Sequence, residues 1–180
     1  MSNLKILWNP WRFEYVKSTT KSDSNCIFCK LPNKSDEESY IVYRGKYSYI
    51  ALNAYPYNSG HLMIIPYKHV ACFDNLNNNE LFELIVLTKA STILLRETFN
   101  PDGFNIGLNI GRAAGAGVAD HIHIHVVPRW IGDTNFMAII ASTKTLPVAL
   151  SETYSILKNN VDKLINVINK TLLESDSFDQ

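Results

Sequence analysis

Asp120-His121-Ile122-His123-Ile124-His125-Val126-Val127-Pro128-Arg129-Trp130 is the stretch on which the reading of this chain turns. Histidines alternate with apolar residues at a period of two, the pattern of a half-buried strand. A strand over His121–Val127, stopped by Pro128 for want of an N–H, sets three imidazoles on one face at ~6.6–6.8 Å spacing. Ile122, Ile124 and Val126 then face the other way. With five histidines in 180 residues, chance supplies on the order of 0.004 such triplets per chain. The triplet therefore asks for a chemical explanation.

Working outward, Phe104–Ile110 also alternates and reads as a strand, joined to the histidine strand by a glycine-rich connection. Upstream, Asn77 with Glu80 three residues later is a capping-box signature. Leu81, Leu84, Ile85, Thr88, Thr92 and Leu95 follow at helical spacing, predicting a helix to about Thr98, ended by the Asn100-Pro101-Asp102-Gly103 turn. Tyr40–Tyr43, Tyr47–Leu52 and His61–Pro66 are aromatic and β-branched runs separated by turn residues, hence three strands. After Pro147, Leu150, Tyr154, Leu157, Val161, Leu164 and Ile168 form one apolar stripe, predicting a single long helix. The order is three strands, helix, two strands, helix. It predicts an α+β fold with a mostly antiparallel sheet and two main helices.

Residues 1–39 read as an irregular N-terminal segment with a polar loop at Ser18–Asn25. Residues 40–146 form the core and 147–180 the C-terminal helix and tail, one structural domain overall. Seventeen basic residues balance seventeen acidic ones, for zero formal net charge. Nonspecific binding to nucleic acid or to a membrane surface draws on net positive charge, so neither partner is expected. The longest apolar run, Phe136–Ala141, has six residues, against ~20 for a membrane span. The N-terminus carries no secretory signal, which predicts a cytoplasmic protein.

A neutral imidazole is a good nucleophile near pH 7, since its reference pKa is ~6.5. At phosphorus it forms a phosphoramidate, dividing one hard substitution into two easier ones. The same three imidazoles also suit a metal site. Two of the three cysteines stand as Cys26-Ile27-Phe28-Cys29, a spacing open to metal or redox chemistry. His69, just past the third strand, is a further ligand candidate for a closed tetrahedral zinc site. Gly111-Arg112-Ala113-Ala114-Gly115-Ala116-Gly117 lies directly before the histidine strand. It reads either as a plain connection or as a nest whose backbone N–H groups at Gly115, Ala116 and Gly117 cradle phosphate. No Lys-Ser/Thr follows, so it is not a Walker loop.

His-x-His-x-His followed by two apolar residues resembles the signature of the histidine-triad (HIT) family of nucleotide hydrolases and transferases. Further stretches are similar to its dinucleoside-polyphosphate phosphorylase branch: Leu7–Arg12, Asn53–Met63, Gly103–Asn109, His125–Trp130 and Gly132–Phe136. The resemblance implies a HIT-like fold and a nucleotide substrate, with inorganic phosphate as the acceptor in a phosphorylase and water in a hydrolase of dinucleoside polyphosphates, nucleoside phosphoramidates or adenylyl sulfate.

Residue by residue, it implies that His123 is the nucleophile that takes a nucleotidyl group from the α-phosphorus. His125 matches a histidine that contacts the phosphate, and Asn109 a polar position that helps hold it. Asn53 matches the ribose-binding position, and Trp130 looks placed near the nucleotide. His121 matches the fourth ligand of a structural zinc site with Cys26, Cys29 and His69. HIT relatives are commonly homodimers, so a dimer is implied. The chain departs from the pattern just before the triad. Many members carry Ser, Thr or Gln there, and this one has Gly117 and Val118. Ser142, Thr143 or Lys144 is then a candidate phosphate partner from the next loop. A nucleotide-sensing module without turnover is the competing reading from another class, and an intact triad argues against it.

Overall fold

The computed structural model describes residues 26–133 and 146–176. Leu7–Arg12, the Ser18–Asn25 loop, most of Gly132–Phe136 and the Ser142–Lys144 candidates lie outside the described residues. A four-residue helix α1 (Ile27–Lys30) runs into a 3-10 turn (Leu31–Asn33). Strands β1 (Ile41–Arg44), β2 (Ser48–Leu52) and β3 (Leu62–Pro66) precede helix α2 (Asn78–Phe99). Then come β4 (Gly103–Gly107), β5 (Ile124–Arg129) and helices α3 (Leu150–Asn159) and α4 (Val161–Asp176). The five strands form one antiparallel sheet in the order β1-β2-β3-β5-β4. This is the α+β architecture expected from the order of elements. Among the described residues no helix is long and apolar enough to cross a membrane.

The sheet has two different faces. On one, Val42, Ile50, Leu52, Leu62, Ile64, Ile124 and Val126 pack under α2, α3 and α4, against Leu84, Leu87, Leu94, Leu95, Tyr154, Leu157, Leu164 and Ile168. Each large aliphatic side chain fully buried there contributes roughly 1.5–3 kcal/mol relative to exposure. On the other, Ile41, Tyr49, Ala51, Met63 and Ile65 pack against Cys26, Phe28 and Val118. The period of two sends the triad histidines to this second face, on which, among the described residues, α1 and loop residues such as Val118 pack.

Helix α2 starts on the expected capping box. The Asn77 side chain accepts from Glu80 N, and the Glu80 carboxylate accepts from Asn77 N. It ends where Asn100 turns left-handed at φ 45°, a conformation asparagine tolerates.

Three expectations are corrected. Pro128 does not stop the histidine strand: β5 runs through it, with Pro128 opposite Phe104. The partnership with β3 ends at Val126, so on that side Pro128 has no ladder to break. Its carbonyl takes the Asn58 side-chain amide at 3.0 Å instead. A proline is tolerated where its N-side faces no neighbouring strand. At its other end the strand begins at Ile124, so His121 and His123 lie on the extended lead into it. There the main chain is held by Ile122 N donating to Val70 O.

The C-terminal stripe is carried by two helices, not one. Asn160 leaves the helical region at φ −112°, ψ 13°, and its side-chain amide donates to Ile156 O at 2.9 Å. Asparagine offers the backbone an alternative to continuing a helix. The break is one residue long, so Tyr154, Leu157, Leu164 and Ile168 still reach the same core.

Candidate active site

The second face of the sheet holds a cleft that is partly open to solvent. Phe28, Asn53, Tyr55, Tyr57, Met63, Asn109, Gly117, Val118, His123 and His125 line it. Asn53, Asn109, Gly117, His123 and His125 thus come together from four stretches of sequence. Trp130 is not among the lining residues; it lies past β5, with its N–H directed at the Asp133 carboxylate. Gly115 and Ala116 are also outside the lining. Their N–H groups donate to Arg112 O and Gly111 O within the loop's own turn. Gly115 closes that turn in the left-handed region, at φ 87°. Lys144 lies outside the described residues.

His123 is buried, 5% exposed. Its Nδ1 lies 2.9 Å from the His121 carbonyl oxygen, which can only accept, so Nδ1 carries the proton. The lone pair is then on Nε2, at the far end of the ring. Burial pushes the His123 pKa below the ordinary histidine value, and the bond to the His121 carbonyl opposes the shift in part. The neutral, nucleophilic form therefore dominates at neutral pH.

His125 is oriented by His61, at the head of the third run expected to be a strand. His61 is fully buried, and its Nε2 lies 3.0 Å from His125 Nδ1. Tyr57 N–H donates to His61 Nδ1 at 3.1 Å. His61 therefore holds its proton on Nε2 and donates it to His125 Nδ1, leaving His125 with an N–H at Nε2. Burial, with His125 and His123 as neighbours, pushes the His61 pKa down to about 3. The available signal was position. His61 immediately precedes Leu62, which pairs with Val126, so it borders the triad strand across the ladder. Asn53 supports the same corner: its Oδ1 accepts from Tyr55 N at 2.9 Å, and its amide lies 3.4 Å from His61 Nδ1. Phe28 is a further cleft residue without a sequence signal, since such an aromatic reads as ordinary core, while Tyr55, Tyr57 and Met63 fall in the Asn53–Met63 stretch but with no role of their own assigned.

The first histidine of the triad points elsewhere. His121 Nδ1 lies 3.3 Å from Cys26 Sγ and 3.5 Å from Cys29 Sγ, and His69 Nδ1 lies 3.3 Å from Cys29 Sγ. The four ligand atoms all fall within 4.8 Å of one another. Tetrahedral zinc with bonds of ~2.3 Å to sulfur and ~2.0–2.1 Å to nitrogen has S···N edges of about 3.5 Å. The donor set and spacing fit such an ion. His121 Nε2 lies 2.9 Å from Pro66 O; donating there keeps Nδ1 open toward the thiols, the outer bond that orients a metal-ligating histidine.

Comparison with known proteins identifies the family and the fold. The HIT domain family model matches residues 34–130. The AP-4-A phosphorylase of Mycobacterium tuberculosis is 42% identical over 161 residues, covering 86% of this chain and 83% of its own length. Among solved structures, a Zn-bound histidine triad family protein from Mycobacterium smegmatis superposes with a TM-score of 0.64 at 23% identity, covering 81% of this chain and 99% of that one. A hypothetical histidine triad nucleotide-binding protein from Sulfolobus tokodaii gives 0.61 at 29% identity, covering 79% and 93%.

Proposed function

Since this chain belongs to the histidine-triad (HIT) family and is an enzyme of that family, we propose that it splits dinucleoside polyphosphates by phosphorolysis through a nucleotidyl group carried on His123. The observation that carries the reading is the His123 Nδ1–H bond to the His121 carbonyl. It directs the lone pair of a buried, neutral imidazole to the end of the ring remote from the backbone. Nε2 attacks the α-phosphorus; a P–N bond forms and the bond to the bridging oxygen breaks. His125, held by His61 with its proton on Nε2, donates to the phosphoryl and leaving oxygens. The Asn109 amide and Gly117 line the same cleft and offer donors to the developing charge. An oxygen of inorganic phosphate then attacks the phosphorus, the P–N bond breaks, and the nucleoside diphosphate leaves. The identity of 42% to a protein named AP-4-A phosphorylase supports phosphate as the acceptor.

Zinc belongs to the same reading, held by Cys26, Cys29, His69 and His121, where it supplies a structural cross-link. A homodimer does too; β4 ends the sheet, and Ile106 on it is half-exposed.

The test is a single-turnover assay with diadenosine tetraphosphate, with and without inorganic phosphate, alongside His123→Asn. ADP and ATP only in the presence of phosphate is the expected result, with the variant down by a thousandfold or more, on the order of losing a covalent nucleophile. AMP and ATP irrespective of phosphate would mean a hydrolase. Reversible nucleotide binding with no turnover would leave a sensing module.

A further inference from the structure

The Cys26–Cys29 turn brings more than metal ligands to the sheet. Phe28, between the two cysteines, is 3% exposed and lines the cleft. Its ring centroid is 4.7 Å from that of His123, tilted at 55°, and 5.6 Å from that of His121, edge-on at 82°. One side chain thus touches both a metal-ligand ring and the imidazole proposed as nucleophile. His125 also packs on His123, at 4.7 Å and 75°.

Phe28 is held there by its surroundings rather than by its own helix. Helix α1 has four residues and no side-chain cap, far short of the ~12–15 at which an isolated helix becomes even marginal. It is anchored by the cysteine pair, by burial of Phe28 itself, and by Tyr49 Oη donating to Phe28 O at 2.7 Å. The donor set at Cys26, Cys29, His69 and His121 fits zinc, as shown above. A metal bound there fixes Cys29, the next residue after Phe28, and Cys26, two residues before it, and hence the placement of the ring.

We propose that Phe28 is a positioning residue through which occupancy of the cysteine–histidine metal site is transmitted to His123. With the turn pinned, the phenyl ring packs on the imidazole and keeps its single Nδ1–H tautomer and its orientation. With the turn released, that packing is lost and His123 samples other orientations. The inference rests on the reading of His123 as the nucleophile. It assigns a functional part to a residue that is neither a ligand nor a reacting group.

The experiment uses the full chain loaded with zinc. Phe28→Ala and Phe28→Leu are compared with the parent protein by zinc content, by kcat and KM, by the rate of nucleotidyl-His123 formation in quenched-flow, and by 15N spectra of the His123 imidazole. Phe28→Ala is expected to keep its zinc and lose on the order of ten- to a hundredfold in the rate of adduct formation, the cost of small misplacement. Its KM changes less than its kcat, and its His123 spectrum shows averaging of tautomers. Phe28→Leu, which keeps most of the bulk, recovers part of both. Stripping zinc with a chelator reproduces the Phe28→Ala spectrum in the parent protein and adds little to it in the variant. A parent-like adduct rate and spectrum in zinc-loaded Phe28→Ala would overturn the proposal. So would zinc-stripping effects of equal size in parent and variant, because independent effects add. If the parent protein itself forms no adduct on His123, the nucleophile reading fails, and the imidazole spectra still decide the role of Phe28.

Discussion

His61 carries its proton on Nε2 because a backbone N–H, that of Tyr57, occupies Nδ1. One main-chain donor thereby sets the tautomer of two histidines, His61 and His125, in series. A consequence follows for stability against pH. The folded-state pKa of His61 is depressed to about 3, whereas an unfolded histidine titrates near ~6.5. Between those values the unfolded chain binds a proton that the folded chain refuses. The stabilising contribution is complete above about pH 6.5 and is lost as pH falls toward 3, at up to about 1.4 kcal/mol per pH unit for one group. Urea midpoints measured from pH 7.5 to 4 should therefore fall less steeply in His61→Gln than in the parent protein. Parallel curves would show that His61 is not held neutral. His123 and His125 were legible as a pair, since the period of two announces a shared face. The link from His61 was not legible, because strand register decides which residue lies beside which.

At the scale of elements, local signals and their tertiary overrides can be separated. Asn77 and Glu80 are a local signal, and they begin α2 where the spacing predicts. Asn77→Ala should cost about 0.5–2 kcal/mol, read as a lower denaturation midpoint with kcat/KM unchanged, since the cap is remote from the cleft. A loss of activity without a loss of stability would contradict that separation. Pro128 shows the override. Its lack of an N–H ends a strand only where a neighbour would use that N–H, and β3 has already parted from β5 there. The break at Asn160 shows a limit of periodicity. Steps of four and three read the same whether the stripe runs on one helix or on two joined by one residue.

The whole molecule is tied together at the cysteine–histidine cluster. It joins the N-terminal turn, the loop after β3 and the lead into β5, three stretches up to 95 residues apart. A second tie joins the far ends: Lys158 of α3 reaches the Asp36 carboxylate at 2.9 Å and the Ile41 and Val42 carbonyls. Structural zinc contributes directly to folding free energy, with apparent values of ~10–16 kcal/mol in small zinc domains. Here a five-stranded sheet and two clusters of buried side chains supply stability of their own, so the loss is expected to be smaller. Cys29→Ser should abolish zinc binding by elemental analysis and cost roughly 3 kcal/mol, lowering Tm by about 6–12 °C for a chain of this size. A variant that retains Tm while losing the metal would assign the cluster no structural weight.

The fold class and the residues of the triad were determined by the sequence itself, through periods of two and of three to four that survive any packing arrangement. The cysteine pair and its distant histidines were likewise present as residue types whose chemistry allows few uses. Tertiary structure decided how the three imidazoles divide their work. His121 turns to the thiols, His123 presents a lone pair, and His125 accepts a hydrogen bond from His61. It also decided that Phe28, indistinguishable in sequence from any core aromatic, packs on both the His121 and the His123 rings. The physical reason is that alternation specifies which face a side chain takes. Its neighbours across strands, and therefore its tautomer and its partners, depend on contacts made only when distant segments meet.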